Sequence, residues 1–289
     1  MAGCGELEAM NLKKETRKMT SQEKTKELLK KLAQGIKEIK TSEEFKKVLN
    51  CMGQFHSYSL GNTILIYLQY PRATKVAGFQ TWKKLERHVR KGEKGISILA
   101  PAHYKKNEKE LDPETNEEKE VEKEVAYFFP VCVFDISQTE GQELPKLDYK
   151  SIENTHGETL EKLLSLAEMN KIKVEFESLQ GCEGLSSNGK VKIQQSKNNT
   201  EKVLILIHEL AHELLHWNPE TRPKLTREQK ELEAEATAYV VANALQIPVT
   251  NSERYLALYQ KSYDLEESLE AIHETSQKIL SEILTTERS

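Results

Sequence analysis

The sequence predicts an α+β chain in two domains, a helical one with a small antiparallel sheet followed by one organised on a single apolar helix. Three observations carry this. Helical and alternating hydrophobic periods are interspersed along the 289 residues. A turn-rich stretch, residues 137–150 (SQTEGQELPKLDYK), separates two regular parts. Charge changes sign along the chain: residues 1–100 hold 20 Lys/Arg against 10 Asp/Glu, whereas the remainder holds 22 against 36. The expected boundaries are a disordered tail over 1–20, a first domain over 21–136, a linker over 137–150 and a second domain over 151–289.

Composition narrows the class. Charged residues make up 30% and hydrophobic residues 37%, the balance of a soluble globular chain. The four cysteines, Cys4, Cys51, Cys132 and Cys182, form no pair motif, which argues against a disulfide scaffold and for a reducing compartment. The start, MAGCGELEAMNLKK, lacks the basic and apolar regions of a secretory signal. No run reaches the roughly 18 apolar residues of a membrane span. The expectation is a cytoplasmic protein without membrane contact. Its basic first third can steer toward a polyanion that the acidic remainder would repel.

In the first domain, Leu28, Leu29, Leu32, Ile36 and Ile39 recur at helical spacing between lysines. Thr41 or Ser42 can cap a second helix, with Glu44 in its first turn and Phe45, Val48, Leu49 and Met52 inward. A third helix runs from about Leu60 to Tyr70 and stops before Pro71. Asn62 interrupts its apolar face, either hydrogen-bonded in the core or aimed at a ligand. Residues 71–94 then carry eight Lys/Arg against two Glu, with Phe79, Trp82 and His88 among them. Basic side chains interleaved with rings suit single-stranded nucleic acid, so Lys75, Trp82, Lys83, Lys84, Arg87, Arg90, Lys91, Lys94 and Asn62 are candidate contacts. The plainer reading makes Trp82 a core residue, spaced with Leu85 and Val89, and the lysines a solvated face. Gly92 and Gly95 bracket a turn into a strand over Gly95–Ala100. Residues 105–124, with five basic and nine acidic side chains, read as an exposed hairpin or loop, and a second strand follows over Val125–Phe134.

In the second domain, Glu158–Asn170 reads as a helix with Leu160, Leu163, Leu164 and Ala167 inward. Lys171–Glu177 alternates as a strand, and Ser187-Asn188-Gly189 turns into another, Lys190–Gln194, making a small antiparallel sheet. Residues 203–217, VLILIHELAHELLHW, then place His208 and His212 at i and i+4 on one helix face, where a metal can sit between them. Glu209 lies where it can take a proton from a metal-held water. That spacing is the H-E-x-x-H signal of zinc hydrolases. Catalytic zinc takes a third protein ligand. A helix over 226–245, starting near Thr226, offers Glu231 and Glu235 one turn apart: one can ligate while the other orients a ligand histidine, with Glu231 preferred as ligand. Glu233 points elsewhere. His216 turns about 80° away from His208 and reads as a packing or hydrogen-bonding residue at the helix end, followed by Asn218-Pro219 as terminator. An edge strand beside such a site can hold an extended peptide. From Ser252 the chain reads as helical, with Tyr255, Leu258, Tyr259, Leu265, Leu269, Ile272, Ile279 and Ile283 inward.

Two longer runs go beyond spacing. YSLGNTILIYLQYPRATKVAGFQTWKKLERHVRKGEKGISILAP, followed by YFFPVCVFDISQTEGQELP, resembles the N-terminal domain of ArdC-type antirestriction proteins. IHELAHELLH and ELEAEATAYVV resemble their zinc-metallopeptidase domain, similar to the ImmA/IrrE group of minigluzincins. The resemblance covers roughly residues 25–265. It implies a mobile-element protein, plasmid- or phage-encoded, whose first domain binds single-stranded DNA and whose second is a minigluzincin-like zinc metallopeptidase domain. By position it makes His208, His212 and Glu231 the Zn2+ ligands and Glu209 the general base. It maps the DNA-domain signature onto Ser59, Asn62, Pro71, Gly78, Phe79, Thr81, Trp82, Gly92, Lys94 and Gly95. The family usually has glycine after TWKKL, where this chain has Glu86.

Three functions fit these readings. One is a single-stranded-DNA-binding protein with a zinc metallopeptidase site and an antirestriction role. Another is a regulatory metallopeptidase that cleaves a specific repressor, its protein substrate recognised by the first domain. The third is a DNA-binding protein with an idle zinc site.

Overall fold

The computed structural model describes residues 19–39, 41–111, 118–144, 152–217, 225–249 and 265–284. The expected tail up to residue 18, the Asp112-Pro113 turn, residues 145–150 of the linker, Asn218-Pro219 and the inward positions Tyr255, Leu258 and Tyr259 lie outside them. The described residues form a mixed α/β structure, with helices α1 (Ser21–Glu38), α2 (Ser42–Gln54), α3 (Leu60–Gln69), α4 (Phe79–Lys84), α5 (Ile152–Met169), α6 (Asn199–His216), α7 (Arg227–Ala244) and α8 (Leu265–Leu284). The strands are β1 (Val76–Gly78), β2 (Arg87–Val89), β3 (Ile96–Leu111), β4 (Glu118–Asp135), β5 (Thr139–Gly141), β6 (Lys173–Glu177), β7 (Gly184–Ser186) and β8 (Lys190–Gln194).

Local sequence explains the starts. Thr20 and Glu23 bond reciprocally ahead of α1, and Thr41 and Glu44 form a capping box on α2. Ser59 caps α3 through the Asn62 N–H. Of the α1 stripe, Leu28, Ile36 and Ile39 are buried, but Leu29 faces solvent.

The chain divides into two compact units, and the division passes through α1, β3 and β4. The smaller groups residues up to Lys30 with Ile98–Val131. Its described part is the outer length of the β3–β4 ribbon and the first turns of α1. Tyr104 and Tyr127 meet edge to face across the strands, and Lys105 pairs with Glu122. Both strands are far longer than the expected Gly95–Ala100 and Val125–Phe134. Their added residues are Lys- and Glu-rich, so no apolar alternation marks them, yet backbone pairing and cross-strand side-chain pairs need no buried face.

The larger unit takes residues 31–97 and 132–289. Here packing departs from the expected split at 137–150. Ile36, Ile39, Phe45, Val48, Leu49, Met52 and Ile64 share one core with Leu232, Ala236 and Val240 of α7 and Leu269 and Ile272 of α8. Polar contacts tie the same elements: Asn50 Oδ1 accepts from Tyr239 and from Asn243, both at 2.7 Å. Amphipathic α1–α3 have an apolar face and only short strands of their own to cover it, so they close on the C-terminal helices instead. A Cβ at Gly53 would lie 2.9 Å from the Val240 carbonyl oxygen, which shows how near α2 and α7 come.

In the same unit β1 pairs antiparallel with the inner end of β4, Val76 opposite Asp135, and β2 pairs antiparallel with β5. Asp135 is fully buried and fastens this corner. Its carboxylate accepts from the N–H groups of Thr74 (2.6 Å), Lys75 (3.0 Å) and Ser137 (2.9 Å), and from the Ser137 hydroxyl (2.6 Å). Burial pushes its pKa up, but these hydrogen bonds outweigh burial and hold it below the ordinary aspartate value. Glu86 has φ of 56°, the left-handed region where glycine is at ease. A glycine at this point would take that conformation without strain.

The third sheet has the order β6-β8-β7. β8 runs antiparallel to β7 but parallel to β6, so the sheet is mixed where an antiparallel one was expected. Asn188 and Gly189 both have positive φ and close a tight hairpin between β7 and β8. β7, three residues long, carries no readable alternation; it pairs antiparallel along one side of β8 while β6 pairs parallel along the other. Behind the sheet, Leu163, Leu166 and Ala167 of α5 join Val191, Ile193 and the apolar side of α6 in a second core. Phe176 is exposed on edge strand β6 with the Lys202 ammonium 5.4 Å from its ring centre.

Gly53→Ala should destabilise the protein by about 1–3 kcal/mol in urea unfolding, because the methyl meets backbone, against the gain of about 1 kcal/mol an exposed helical site would show. A stabilised variant would contradict the α2–α7 contact. Asp135→Asn should cost about 2–3 kcal/mol near neutral pH. The folded value of Asp135 lies below the unfolded one, so its contribution is complete above about pH 4 and lost as pH falls through the folded value. The stability gap between wild type and variant should therefore narrow in acid; a gap that widens there would refute this account.

Candidate metal centre and basic face

Helix α6 begins at a capping box, Asn198 Oδ1 accepting from Glu201 N–H and Glu201 returning the bond. Thr226 and Gln229 do the same for α7. The helices lie antiparallel: His208 meets Glu235, and His212 meets Glu231, four residues earlier. His208 Nε2 and His212 Nε2 stand 3.1 Å apart, and Glu231 Oε2 lies 3.7 Å from the first and 3.6 Å from the second. Donors around a tetrahedral ion at 2.0–2.1 Å are separated by roughly 3.3 Å, so this triangle has the dimensions of one face of a zinc site. Two imidazole nitrogens and a carboxylate oxygen are also a donor set zinc accepts.

Glu235 stands elsewhere. Its Oε2 is 2.9 Å from His208 Nδ1, close but not aligned as a hydrogen bond, on the side of the ring away from the triangle. Glu209 is 7% exposed and rests against β7, where a Cβ at Gly184 would come within 2.5 Å of its carboxylate. Burial raises the Glu209 pKa, and His208 and His212 pull the other way. Glu231 is held below the ordinary value, first by its contact with His212. The triangle sits in an open groove with Gly184, Leu185 and Ser186 of β7 on one side and Arg227, Lys230 and Tyr239 of α7 on the other. β7 is an edge of its sheet.

Two residues near the triangle escaped sequence reasoning. Glu213 is buried and accepts the Gly189 N–H at 2.6 Å, which pins the β7–β8 turn to α6. The cue was a second acid one turn after Glu209 in an apolar run. Glu233, with no exposed surface, contacts His216, whose Nδ1 is 3.1 Å from His212 Nδ1. Burial lowers the His216 pKa, favouring its neutral form.

The basic segment divides. Trp82 is 2% exposed, and its indole N–H donates to the Phe134 carbonyl at 2.9 Å, so its ring belongs to the core and is not offered for stacking. Arg87 is spent on β5: it donates to Thr139 Oγ1 at 2.8 Å and to the carbonyls of Thr139, Gly141 and Gln142. Arg90 pairs with Glu93 at 2.7 Å. Lys75, Lys83, Lys84, Lys91 and Lys94 are exposed. Asn62 is half-buried on α3. Phe79, 52% exposed, precedes Lys83 by one helical turn and is an accessible ring of this segment.

Residues 18–134 match the family described as the N-terminal domain of anti-restriction factor ArdC. An uncharacterised Bacillus anthracis protein, pXO2-81, is 30% identical over 306 aligned positions, which take in 90% of this chain and 51% of the relative. The chain thus spans about half the length of that curated relative. Two crystal structures of the antirestriction protein ArdC from plasmid R388 are also similar. The metal-free one is 17% identical with a TM-score of 0.45 and covers 78% of this chain and 82% of that one. The Mn(II)-bound one is 16% identical with a TM-score of 0.46 and covers 80% and 86%.

Proposed function

We propose, for a chain whose residues 18–134 match the family of ArdC N-terminal domains, a mobile-element protein that binds single-stranded DNA and carries a zinc-dependent metallopeptidase site, with an antirestriction role. The observation that carries the peptidase part is the donor triangle of His208, His212 and Glu231, with the buried Glu209 next to it and outside that triangle. The two imidazoles come from one helix and the carboxylate from the next, which supports the minigluzincin-like reading. Zinc, when bound, supplies Lewis acidity and activates water at neutral pH.

The chain's own residues do the rest. His208, His212 and Glu231 would hold the ion, and Glu235 would steady the His208 ring from its Nδ1 side. Glu209 takes a proton from water and returns it to the leaving amine; its burial raises its basicity toward that task. The β7 edge offers backbone donors and acceptors to an extended peptide lying along the groove. On the DNA side, the exposed lysines at 75, 83, 84, 91 and 94 meet phosphates, and Phe79 supplies a ring for a base.

Glu209→Gln should abolish hydrolysis of an unfolded protein substrate while zinc content, read by elemental analysis, stays at the wild-type level. Proteolysis that survives in this variant would exclude Glu209 as the base. For DNA, a gel shift with an oligothymidylate over a salt series should give a falling log–log line. Lys83→Ala with Lys84→Ala should flatten its slope by about 1.4, two single-strand phosphate contacts at about 0.7 each. Binding indifferent to salt, or an unchanged slope, would remove these lysines from the DNA reading.

A further inference from the structure

His216 is not simply a residue that closes a helix. It sits one turn beyond His212, and their Nδ1 atoms are 3.1 Å apart. Its other nitrogen, Nε2, is 3.2 Å from Glu233 Oε2, and Glu233 Oε1 accepts from the Ser268 hydroxyl at 2.7 Å. Glu233 has no exposed surface, Ser268 is 3% exposed and the His216 side chain 3%. Three helices thus contribute to one buried line, with α6 giving the histidines, α7 the carboxylate and α8 the hydroxyl.

The chemistry of the groups fixes the direction of each bond. A metal-facing Nε2 on His212 must present a bare lone pair, so that ring carries its proton on Nδ1 and donates it to His216 Nδ1. His216, accepting there while neutral, carries its own proton on Nε2 and donates to Glu233. Glu233, an acceptor, takes the Ser268 hydroxyl as well. Reversing the line would put a proton on His212 Nε2, facing His208 Nε2 at 3.1 Å, and would leave His212 unable to ligate.

We propose that His216, Glu233 and Ser268 form a positioning chain that sets the tautomer and ring angle of His212, and so makes metal affinity depend on the C-terminal helix α8. The proposal rests on the reading of His208, His212 and Glu231 as ligands. The two ligand histidines are then backed differently: His208 directly by the half-exposed Glu235, His212 through a neutral imidazole by a fully buried carboxylate. Outer partners of this kind are worth about 10–100-fold in metal affinity.

The test uses the full chain with Zn2+ as probe, its affinity measured by competition with a chromophoric chelator. His216→Gln keeps both roles, since its amide can accept from His212 and donate to Glu233; His216→Leu keeps bulk and neither role. His216→Leu should bind zinc about 10–100-fold more weakly, and His216→Gln should recover most of that loss, which a purely packing role would not predict. Long-range 1H–15N spectra of the unsubstituted, metal-free protein give a second readout independent of any variant's folding: His212 should carry its proton on Nδ1. Wild-type affinity in a folded His216→Leu, or a proton on His212 Nε2 in that spectrum, would overturn the chain. The ligand reading has its own control. If His212→Ala leaves zinc affinity unchanged, that reading fails and the proposal falls with it. If His212→Ala weakens binding and His216→Leu does not, only the positioning chain is lost.

Discussion

The close antiparallel contact of α6 with α7 is the constraint on which the metal centre depends. Two histidines one turn apart can meet two glutamates one turn apart in reverse order only if the helices run oppositely and near each other. Small side chains permit the approach: Ala211 on α6 and Ala234 on α7 are fully buried in one cluster, with Leu215 and Ala271 beside them. Interhelix distance follows the size of the residues between the axes. Larger residues there would carry Glu231 beyond reach of both imidazoles.

The same contact divides three glutamates spaced by two. Residues 231 and 235 fall on one side of α7 and 233 on nearly the opposite side, as 3.6 residues per turn requires. Glu231 and Glu235 face the α6 histidines in the groove, while Glu233 enters the interior between α7 and α8, where Ser268 and His216 receive it. A carboxylate without exposed surface is costly unless it is hydrogen-bonded, and these partners supply that requirement.

Much of this was legible from residue patterns. The helix starts at Thr41, Asn198 and Thr226 follow from capping chemistry within four residues. The convergence of His208 with His212 follows from helix geometry alone, and the face of Glu231 and Glu235 from the same arithmetic. What could not be read was long-range. Trp82 has both the periodicity of a core residue and the company of a nucleic-acid contact; only the Phe134 carbonyl that meets its indole decides between them. Arg87 looks like a free cation until β5 folds beside it. The β3–β4 ribbon extends through residues with no apolar alternation, and β7 is too short to leave a pattern. The partner of Glu233 comes from a helix that begins more than thirty positions later.

The packing of α1–α3 onto α7 and α8 also bears on how such a chain can be rearranged. Cut within residues 137–150, the first piece would leave Phe45, Leu49 and Met52 bare, and the second would bare Leu232, Val240 and Leu269. Neither piece could be exchanged for its counterpart from a relative unless the new face fitted the old one. The two halves are therefore expected to travel and change together through gene shuffling, each constraining the other's apolar surface, although their charges and chemistry differ.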